Sequence, residues 1–350
     1  MDIYCVLPEA VGEFEDFRDS YRKRLTDMAH TAERAGWSGG LIPTFLHEVD
    51  PFMVSSYLGA VTERFIPLIA VQPACTPPHA AAACASAYAM MYDRPVYFNL
   101  VAGARDDEMR RVGDHLTHDE RYDRLHEYGR VLRGLLNGET VTHHGTYYTY
   151  DKFALAPRPE VLEQCKIFVA GSSTAGRQVA QRIADVVVTH PKPFPDWREN
   201  VLRPLLAGGY EGEIGIRIGM ICRESGEEAW EIARRRFPDS WIGRQETLLK
   251  TRSQSVWSRD LARMAISQDT GLPTEPDSSG VYWLGAFRSG RASAPFLVGS
   301  YAEVGDALGE FLAAGVSHVV LAAAELEDFG PITHAVRMGG ESVSRDAAPC

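Results

Sequence analysis

The amino-acid sequence predicts an α/β barrel of eight parallel strands. Apolar, strand-like segments alternate with segments whose apolar residues recur at helical spacing, and eight strand segments occur in this order. The strand segments are apolar throughout, as expected for parallel strands that are covered on both faces. An open, doubly wound sheet is the alternative, but eight successive strands favour the closed barrel.

Each predicted element follows from the local sequence. The first helix segment, for example, ends at Gly36, and glycine commonly terminates helices. The remaining helix segments each follow a strand in the same way. The predicted strands occupy residues 3–8, 39–44, 65–73, 96–103, 166–171, 185–191, 214–223 and 317–324.

Two segments interrupt the alternation. Residues 140–157 are rich in β-forming residues around His144 and Gly145, so we expect a β-hairpin before the fifth strand. Residues 238–295 form a long mixed segment between the seventh and eighth strands, and we expect this segment to form a lid over the active site. We expect residues 1–350 to form a single barrel domain that carries both insertions.

The composition excludes several classes of protein. Apolar residues make up 45% of the 350 residues and charged residues 24%, as in ordinary globular proteins, and no apolar stretch is long enough to span a membrane. The net charge of −11 disfavours nucleic acids and anionic membranes, so a small molecule is the expected partner. The six cysteines have no paired spacing and the first residues do not resemble an export signal. We therefore expect a cytoplasmic protein without a disulfide framework or a metal site.

One candidate site lies where the fifth predicted strand ends. The sequence there is VAGSST, in which Gly171 precedes Ser172 and Ser173 and a helix segment follows. Glycine permits a close backbone approach, and the N-terminus of a helix attracts anions. The segment therefore predicts either a phosphate site or simple capping of the helix by a hydroxyl group.

A second candidate site lies in the stretch GDHLTHDERYDRLHEY, residues 113–128. Thr117 or Asp119 can cap a helix here, and on that helix His118 and Tyr122 share one face. The pair predicts either a ligand contact or an ordinary surface pair. We expect the two arginines that flank Tyr122 in this stretch to face solvent or a phosphate group.

Arg217 lies inside the otherwise apolar seventh strand. Burying an uncompensated charge is costly, so Arg217 is expected either to meet a carboxylate or to bind an anionic group in an active site. The pair His143 and His144 is interpreted as part of a hairpin turn, since no thiolate or carboxylate ligand is spaced nearby.

Taken together, the motifs resemble those of the bacterial-luciferase superfamily, especially its alkanesulfonate monooxygenase and nitrilotriacetate monooxygenase branches. FNLVAG, HDERY, the hairpin and VAGSS follow one another in the order of that family. GWSGGLIPT at the second strand, GIRIGMICRESGEEAW at the seventh and PFLVGSYAEVGDALGEFLAAGVSHVVL near the end extend the resemblance over nearly the whole chain.

The resemblance implies a luciferase-like barrel and a two-component monooxygenase that uses reduced FMN and O2. A separate NAD(P)H-dependent flavin reductase would reduce the FMN, and the sequence has no GxGxxG fingerprint for a nicotinamide dinucleotide. We also expect a homo-oligomer, either a dimer or a tetramer.

The resemblance also implies roles for individual residues. In the related enzymes the HDERY motif contacts the flavin, the serine loop binds its phosphate, and the fourth-strand segment lines its ring. The cofactor-binding residues implied here are Asn99, Ala102, His118, Tyr122, Gly171, Ser172 and Ser173. The residues expected to orient the substrate or act in catalysis are Arg217, Glu48, His190 at the end of the sixth strand, and Arg288 or Arg291 on the lid.

Three positions depart from the alkanesulfonate branch. The loop IPTFLHEVDPF places Glu48 where that branch has a cysteine, Gly219 stands in place of a histidine, and Ala324 in place of a tyrosine. We therefore expect simple alkanesulfonates to be poor substrates. Glu48 and His47 are expected to recognise a nitrogen-bearing group such as an amine, or else to be exposed to solvent.

Three alternative functions remain open. They are an alkanesulfonate-type desulfonating monooxygenase, a deazaflavin-dependent oxidoreductase and a non-catalytic flavin-binding relative. The HDERY motif favours FMN over a deazaflavin, and the long insertion argues against a non-catalytic relative.

Overall fold

The structure is a computed structural model that describes residues 1–8, 14–44, 49–103, 106–170, 173–253, 255–267 and 280–346. The strands are β1 (Asp2–Val6), β2 (Gly39–Ile42), β3 (Ile66–Val71), β4 (Tyr97–Leu100), β5 (Val141–His144), β6 (Thr149–Phe153), β7 (Ile167–Ala170), β8 (Val186–Thr189), β9 (Glu213–Arg223), β10 (Tyr282–Trp283), β11 (Phe296–Ser300) and β12 (Val316–Leu321).

The helices follow most of these strands. They are α1 (Phe14–Ala35), α2 (Pro51–Val61), α3 (Pro78–Tyr92), α4 (Asp106–Arg111), α5 (His118–Leu136), α6 (Thr174–Ile183), α7 (Phe194–Trp197), α8 (Arg203–Ala207), α9 (Gly226–Arg236), α10 (Trp241–Lys250), α11 (Val256–Ser267), α12 (Gly285–Arg288), α13 (Tyr301–Ala313) and α14 (Phe329–Asp346). Within the described ranges, none of these helices has the length and apolarity needed to cross a membrane.

The chain divides into two compact units. The amino-terminal unit is Val6–Val188, and the carboxy-terminal unit combines Met1–Cys5 with Thr189–Cys350. In the amino-terminal unit, β2, β3, β4, β7 and β8 are neighbours in that order and pair in parallel. All residues of β2 and β8 are buried, which explains why the strand segments of the sequence are continuously apolar.

The carboxy-terminal unit is organised around β9. The first half of β9 pairs in parallel with β12, which in turn pairs with residues 2–5 of β1. The second half, Gly219–Arg223, pairs in parallel with β11, and β10 joins β11 in antiparallel orientation. β9 therefore pairs with β12 along its first half and with β11 along its second half.

The predicted fold class, an eight-stranded α/β barrel, is confirmed. The strands that alternate with helices in the barrel order are β1 to β4, β7 to β9, and β12, and each overlaps a predicted strand. β10 and β11 have no counterpart among the predicted strands. β10 has only two residues, whereas β11 has five and directly follows the segment that was expected to form the lid.

The two expected insertions contain regular structure. β5 and β6 pair as an antiparallel hairpin within residues 140–157. Residues 238–295 contain α10, α11, β10 and α12, while residues 254 and 268–279 lie outside the described residues. The lid and the single domain stay predictions.

Glu127 of α5 holds the turn of the hairpin. Its carboxylate accepts hydrogen bonds from the backbone N–H groups of Thr146, Tyr147 and Tyr148, and His143 Nε2 lies 3.2 Å from it. Burial raises the pKa of Glu127, but these hydrogen bonds outweigh burial and leave the pKa below its ordinary value. In this chain, His143 therefore belongs to a structural contact of the hairpin.

A buried ion cluster joins the end of β9 to the region before α14. Asp328 is fully buried, and its carboxylate accepts hydrogen bonds from Arg223 at 3.0 Å and from Arg236 at 2.6 Å. Glu327 also contacts Arg236, but its side chain is mostly exposed. The two arginines compensate the buried charge, so removal of that charge leaves them without their main partner.

We expect Asp328→Asn to lower the free energy of unfolding by about 3–5 kcal/mol, the usual loss when one member of a buried ion cluster is removed. Glu327→Gln is the matched control and should cost about 1 kcal/mol or less, since exposed ion pairs contribute little. Urea denaturation of both variants tests the difference. Equal losses of stability in the two variants would show that burial does not determine how much Asp328 contributes to the free energy of unfolding.

Candidate active site

Ser173 lies between β7 and α6 at the edge where the parallel strands of the amino-terminal unit end. It is buried, and its hydroxyl oxygen accepts a hydrogen bond of 2.9 Å from the N–H group of Gly176, so it is the N-cap of α6. The first turn of a helix also presents N–H groups without partners inside the helix, and these attract anions. Gly171 and Ser172 lie outside the described residues.

Tyr122 reaches the same point from α5. Its hydroxyl shares a hydrogen bond with Ser173, and a Cβ atom added to Gly176 would lie 3.1 Å from the tyrosine oxygen. Burial raises the pKa of Tyr122, while the contact with Ser173 and the charge of Arg121 lower it, and the net shift is upward. Tyr122 is therefore a neutral hydrogen-bond donor at neutral pH, and two motifs that are about fifty residues apart in sequence meet here.

His118 lies beside Tyr122 on the same face of α5. Their ring centroids are 5.0 Å apart, and His118 Nδ1 lies 2.8 Å from Asp119. The helix begins at His118 because Thr117 and Glu120 form a capping box, in which each side chain binds the backbone N–H of the other residue. Thr117, rather than Asp119, is therefore the cap.

The two arginines that flank Tyr122 do not face solvent, so that part of the expectation is wrong, while a contact with a phosphate group stays a prediction. Arg121 is 1% exposed and donates to the carbonyl oxygen of Leu116 at 3.0 Å. Arg124 is largely buried and donates to Asp114 at 2.6 Å. Both side chains hold the loop before α5 against the helix.

Asn99 and Ala102 lie at the carboxyl end of β4. Asn99 is partly buried and is in register with Phe168 of β7, two residues before that strand ends at Ala170. Because the two strands are parallel, the ends of β4 and β7 share the edge at which Ser173 lies. The structure therefore brings the described cofactor candidates to one edge of the amino-terminal unit.

A second group of candidate residues lies in the carboxy-terminal unit. Arg217 of β9 donates a hydrogen bond of 3.2 Å from Nη2 to the hydroxyl of Ser293, and His190 follows β8. The imidazole of His190 stacks on the indole of Trp257, with ring centroids 3.8 Å apart and planes within 3°. Ser293 and Trp257 were not identified from the sequence, because neither belongs to a motif or a periodic element.

The environment of His190 keeps its ring neutral. Burial and the neighbouring charge of Arg217 lower the pKa of His190 well below its ordinary value. Its Nε2 atom is buried and has no hydrogen-bond partner among the residues that the structure describes. A buried polar atom in this state is suited to binding a ligand group.

The two residues after His190 are held by the insertion. The hydroxyl of Tyr282 donates to the carbonyl oxygen of Pro191 at 3.1 Å, and Lys192 forms an ion pair of 3.3 Å with Asp260 of α11. Together with Trp257, these contacts fix the position of residues 190–192.

Arg288 and Arg291 differ in their surroundings. Arg288 is buried, and its positive charge lowers the pKa of Asp239, although the hydrogen bond from Arg244 is the main cause. Arg291 is exposed and donates to the carbonyl oxygen of Arg236 at 3.2 Å. A substrate contact by either arginine stays a prediction.

Gly219 has no room for the histidine of the sulfonate branch. A Cβ atom at this position would lie 2.3 Å from the ring of Phe296, which belongs to a buried cluster of the same unit. Ala324 is also buried. His47 and Glu48 lie outside the described residues, so the proposed contact to an amine stays a prediction.

Comparisons with known proteins identify relatives of the chain. A family model described as luciferase-like monooxygenase matches residues 9–318. The chain is 36% identical over 307 residues to the 4-(gamma-L-glutamylamino)butanoyl-[BtrI acyl-carrier protein] monooxygenase BtrO of Niallia circulans, a match that covers 87% of each chain.

Solved structures share the fold at lower sequence identity. The EDTA monooxygenase EmoA from Chelativorans sp. BNC1 has a TM-score of 0.70 at 14% identity, over 100% of this chain and 95% of that chain. The oxygenating constituent of 3,6-diketocamphane monooxygenase from Pseudomonas putida, in complex with FMN, has a TM-score of 0.67 at 13% identity, over 100% and 99% of the respective chains. At these identities, the likeness concerns the fold alone.

We expect His190→Phe to reduce the loss of stability at acid pH. In the wild type, the unfolded state binds a proton as the pH falls below about 6.5, whereas the folded state keeps His190 neutral, so the free energy of unfolding decreases. Phenylalanine keeps a ring on Trp257 but removes this proton. Urea denaturation at pH 7.5 and pH 5.5 should give a smaller pH dependence for the variant, and His115→Phe, at an exposed position, is the control. An unchanged dependence in His190→Phe would show that this ring is protonated in the folded state.

Proposed function

The chain belongs to the luciferase-like monooxygenase family and is a flavin-dependent monooxygenase, and we propose that it is the oxygenase component of a two-component, FMN-dependent system. In this proposal a separate NAD(P)H-dependent flavin reductase supplies reduced FMN, and O2 is the second substrate. The resemblance seen in the sequence motifs is thereby confirmed at the level of the family.

The contact between Tyr122 and Ser173 carries the proposal for the cofactor. It lies at the N-terminus of α6, where backbone N–H groups and two hydroxyl groups suit a phosphate. A Cβ atom at Gly176 would lie 3.0 Å from the Ser173 hydroxyl oxygen and 3.1 Å from that of Tyr122, so glycine leaves the backbone close to both hydroxyl groups. These residues therefore fit the phosphate of FMN.

Other residues of the amino-terminal unit would complete the cofactor site. We assign His118 and Tyr122 to contacts with the flavin, and Asn99 and Ala102 to the ring. Reduced FMN, when bound, supplies the electrons that activate O2 for transfer of one oxygen atom to an organic substrate. The task of the protein is to hold the phosphate, orient the ring and limit the access of water.

For the substrate, we propose a nitrogen-bearing acyl group attached to a carrier protein. The relative from Niallia circulans acts on a glutamylamino-butanoyl group on an acyl-carrier protein, according to its name. Arg217 would bind a carboxylate or carbonyl oxygen of such a group, and the neutral ring of His190 would offer its buried Nε2 atom. Glu48 would bind an amine of the substrate.

Two observations argue against the alkanesulfonate and deazaflavin alternatives. Phe296 fills the space beside Gly219, so a donor expected in an alkanesulfonate pocket is absent at this position of the chain. The HDERY motif favours FMN over a deazaflavin.

We expect the purified chain with NADH, FMN and the loaded carrier, 4-(γ-L-glutamylamino)butanoyl-acyl-carrier protein, to consume O2 only after a flavin reductase is added. Mass spectrometry should then show one added oxygen atom on the acyl group. Simple alkanesulfonates, tested in parallel, should release little sulfite.

Three outcomes would contradict the proposal. Rapid NADH oxidation by the chain alone would exclude a separate reductase, and efficient sulfite release would restore the desulfonating function. Substrate reduction by a reduced deazaflavin in the absence of O2 would favour the hydride-transfer alternative.

A further inference from the structure

The outward face of α10 is apolar although it is exposed. Its apolar side chains are Trp241, Ile242, Leu248 and Leu249, which are 74%, 66%, 47% and 69% exposed. At 100° per residue, they lie on one side of the helix together with Gln245, and Arg252 follows on the same side after the helix ends. We call this surface the α10 face. Exposed apolar groups that form one patch usually mark an interaction surface.

The opposite side of α10 is packed, so the direction of the α10 face is fixed. A Cβ atom on Gly243 would lie 2.4 Å from the backbone of Ser289, and the hydroxyl of Thr247 donates to the carbonyl oxygen of Arg288 at 3.4 Å. Lys250 points back over the ring of Phe287, at 4.7 Å from its centre. The helix cannot turn its apolar side chains into this unit without losing these contacts.

Two arginines beside the α10 face have no carboxylate partner among the described residues. Arg252 and Arg291 are exposed, and neither forms an ion pair with a carboxylate in the described part of the chain. Arg291 follows Gly290, which packs against Gly243 of α10. Arg244 is neutralised by Asp239. Glu246 of α10 is also exposed and lies next to Gly290, so two arginines and one glutamate leave a small local excess of positive charge in a chain whose net charge is −11.

These charges favour an acidic partner over a second copy of the chain. A two-fold interface places the same patch on both sides, so the arginines of one copy would approach those of the other. Like charges at an interface cost free energy, whereas an acidic surface would be attracted and its association accelerated.

We propose that the α10 face docks an acidic carrier protein that presents the substrate. The inference rests on the proposed carrier-bound acyl substrate. Its support is the continuity of the contacts: α10 packs on residues 288 and 289, and Ser293, four residues further along, binds Arg217. A carrier on this face would lie beside the segment that reaches the substrate candidates of the same unit.

Two variants test the α10 face. The double variant Trp241→Ala/Leu249→Ala removes the two most exposed apolar side chains of the α10 face, and the single variant Arg252→Glu reverses a charge on it. The matched controls are Leu206→Ala, at a half-exposed leucine on α8, and Arg24→Glu, at an exposed arginine on α1. The probes are the loaded carrier protein and the same acyl group on N-acetylcysteamine, which has no protein to dock.

We expect each α10 variant to weaken binding of the loaded carrier about tenfold or more, as when interface anchors are lost. Affinity for FMN, turnover of the N-acetylcysteamine thioester and the two control variants should be unchanged. Added salt should weaken carrier binding to the wild type more than to Arg252→Glu.

Other results would overturn the inference. Equal carrier affinity in the variants and the wild type would exclude this face, and a change in oligomeric state by light scattering would assign it to a second copy. Wild-type turnover of the small thioester without any carrier binding would refute docking and leave the proposed oxygenase standing. Failure with both probes would refute the proposed substrate and the docking inference together.

Discussion

The hydrogen bond between Tyr122 and Ser173 is the contact on which the proposed cofactor site depends. It joins α5 to the start of α6, and Gly176 lets the two helices approach closely at this end. Further along, Gly129 of α5 packs against Ile183 of α6 in a similar way. A Cβ atom at Gly129 would lie 2.4 Å from Ile183, so a larger side chain there would require α5 or the side chain of Ile183 to move.

The residues proposed to contact the substrate are positioned by a different set of contacts. Residues 190–192 are fixed by a stacked ring, a backbone hydrogen bond and an ion pair, all of which come from the insertion between the seventh and eighth strands of the barrel. The insertion that we expect to form a lid therefore also positions His190. Burial in this setting keeps the imidazole neutral, so it can accept or donate a hydrogen bond without adding to the charge of Arg217.

The barrel strands were predictable because strands such as β2 and β8 are buried on both faces, so their sequences are continuous apolar segments. β11 was not predicted, since it lies directly after the segment that was expected to form the lid, although β11 explains why Gly219 cannot carry a side chain. The capping box at Thr117 was recognisable from its residue types, whereas the burial of Arg121 was not, because a charged residue usually indicates a surface position. Trp257 and Ser293 could not be identified from the sequence, because their contacts with His190 and Arg217 join distant segments and leave no local sequence pattern.

The most direct test of the account is the affinity of the protein for reduced FMN compared with reduced riboflavin, which differs from FMN in lacking the phosphate. If the N-terminus of α6 with Ser173 and Tyr122 binds that phosphate, the wild type should bind FMN at least about tenfold more tightly, the difference expected for one well-held anionic group. Ser173→Ala should reduce this preference without a matching change in the affinity for riboflavin. Equal affinities for the two flavins in the wild type, or a preference that Ser173→Ala leaves intact, would contradict the assignment of the phosphate site.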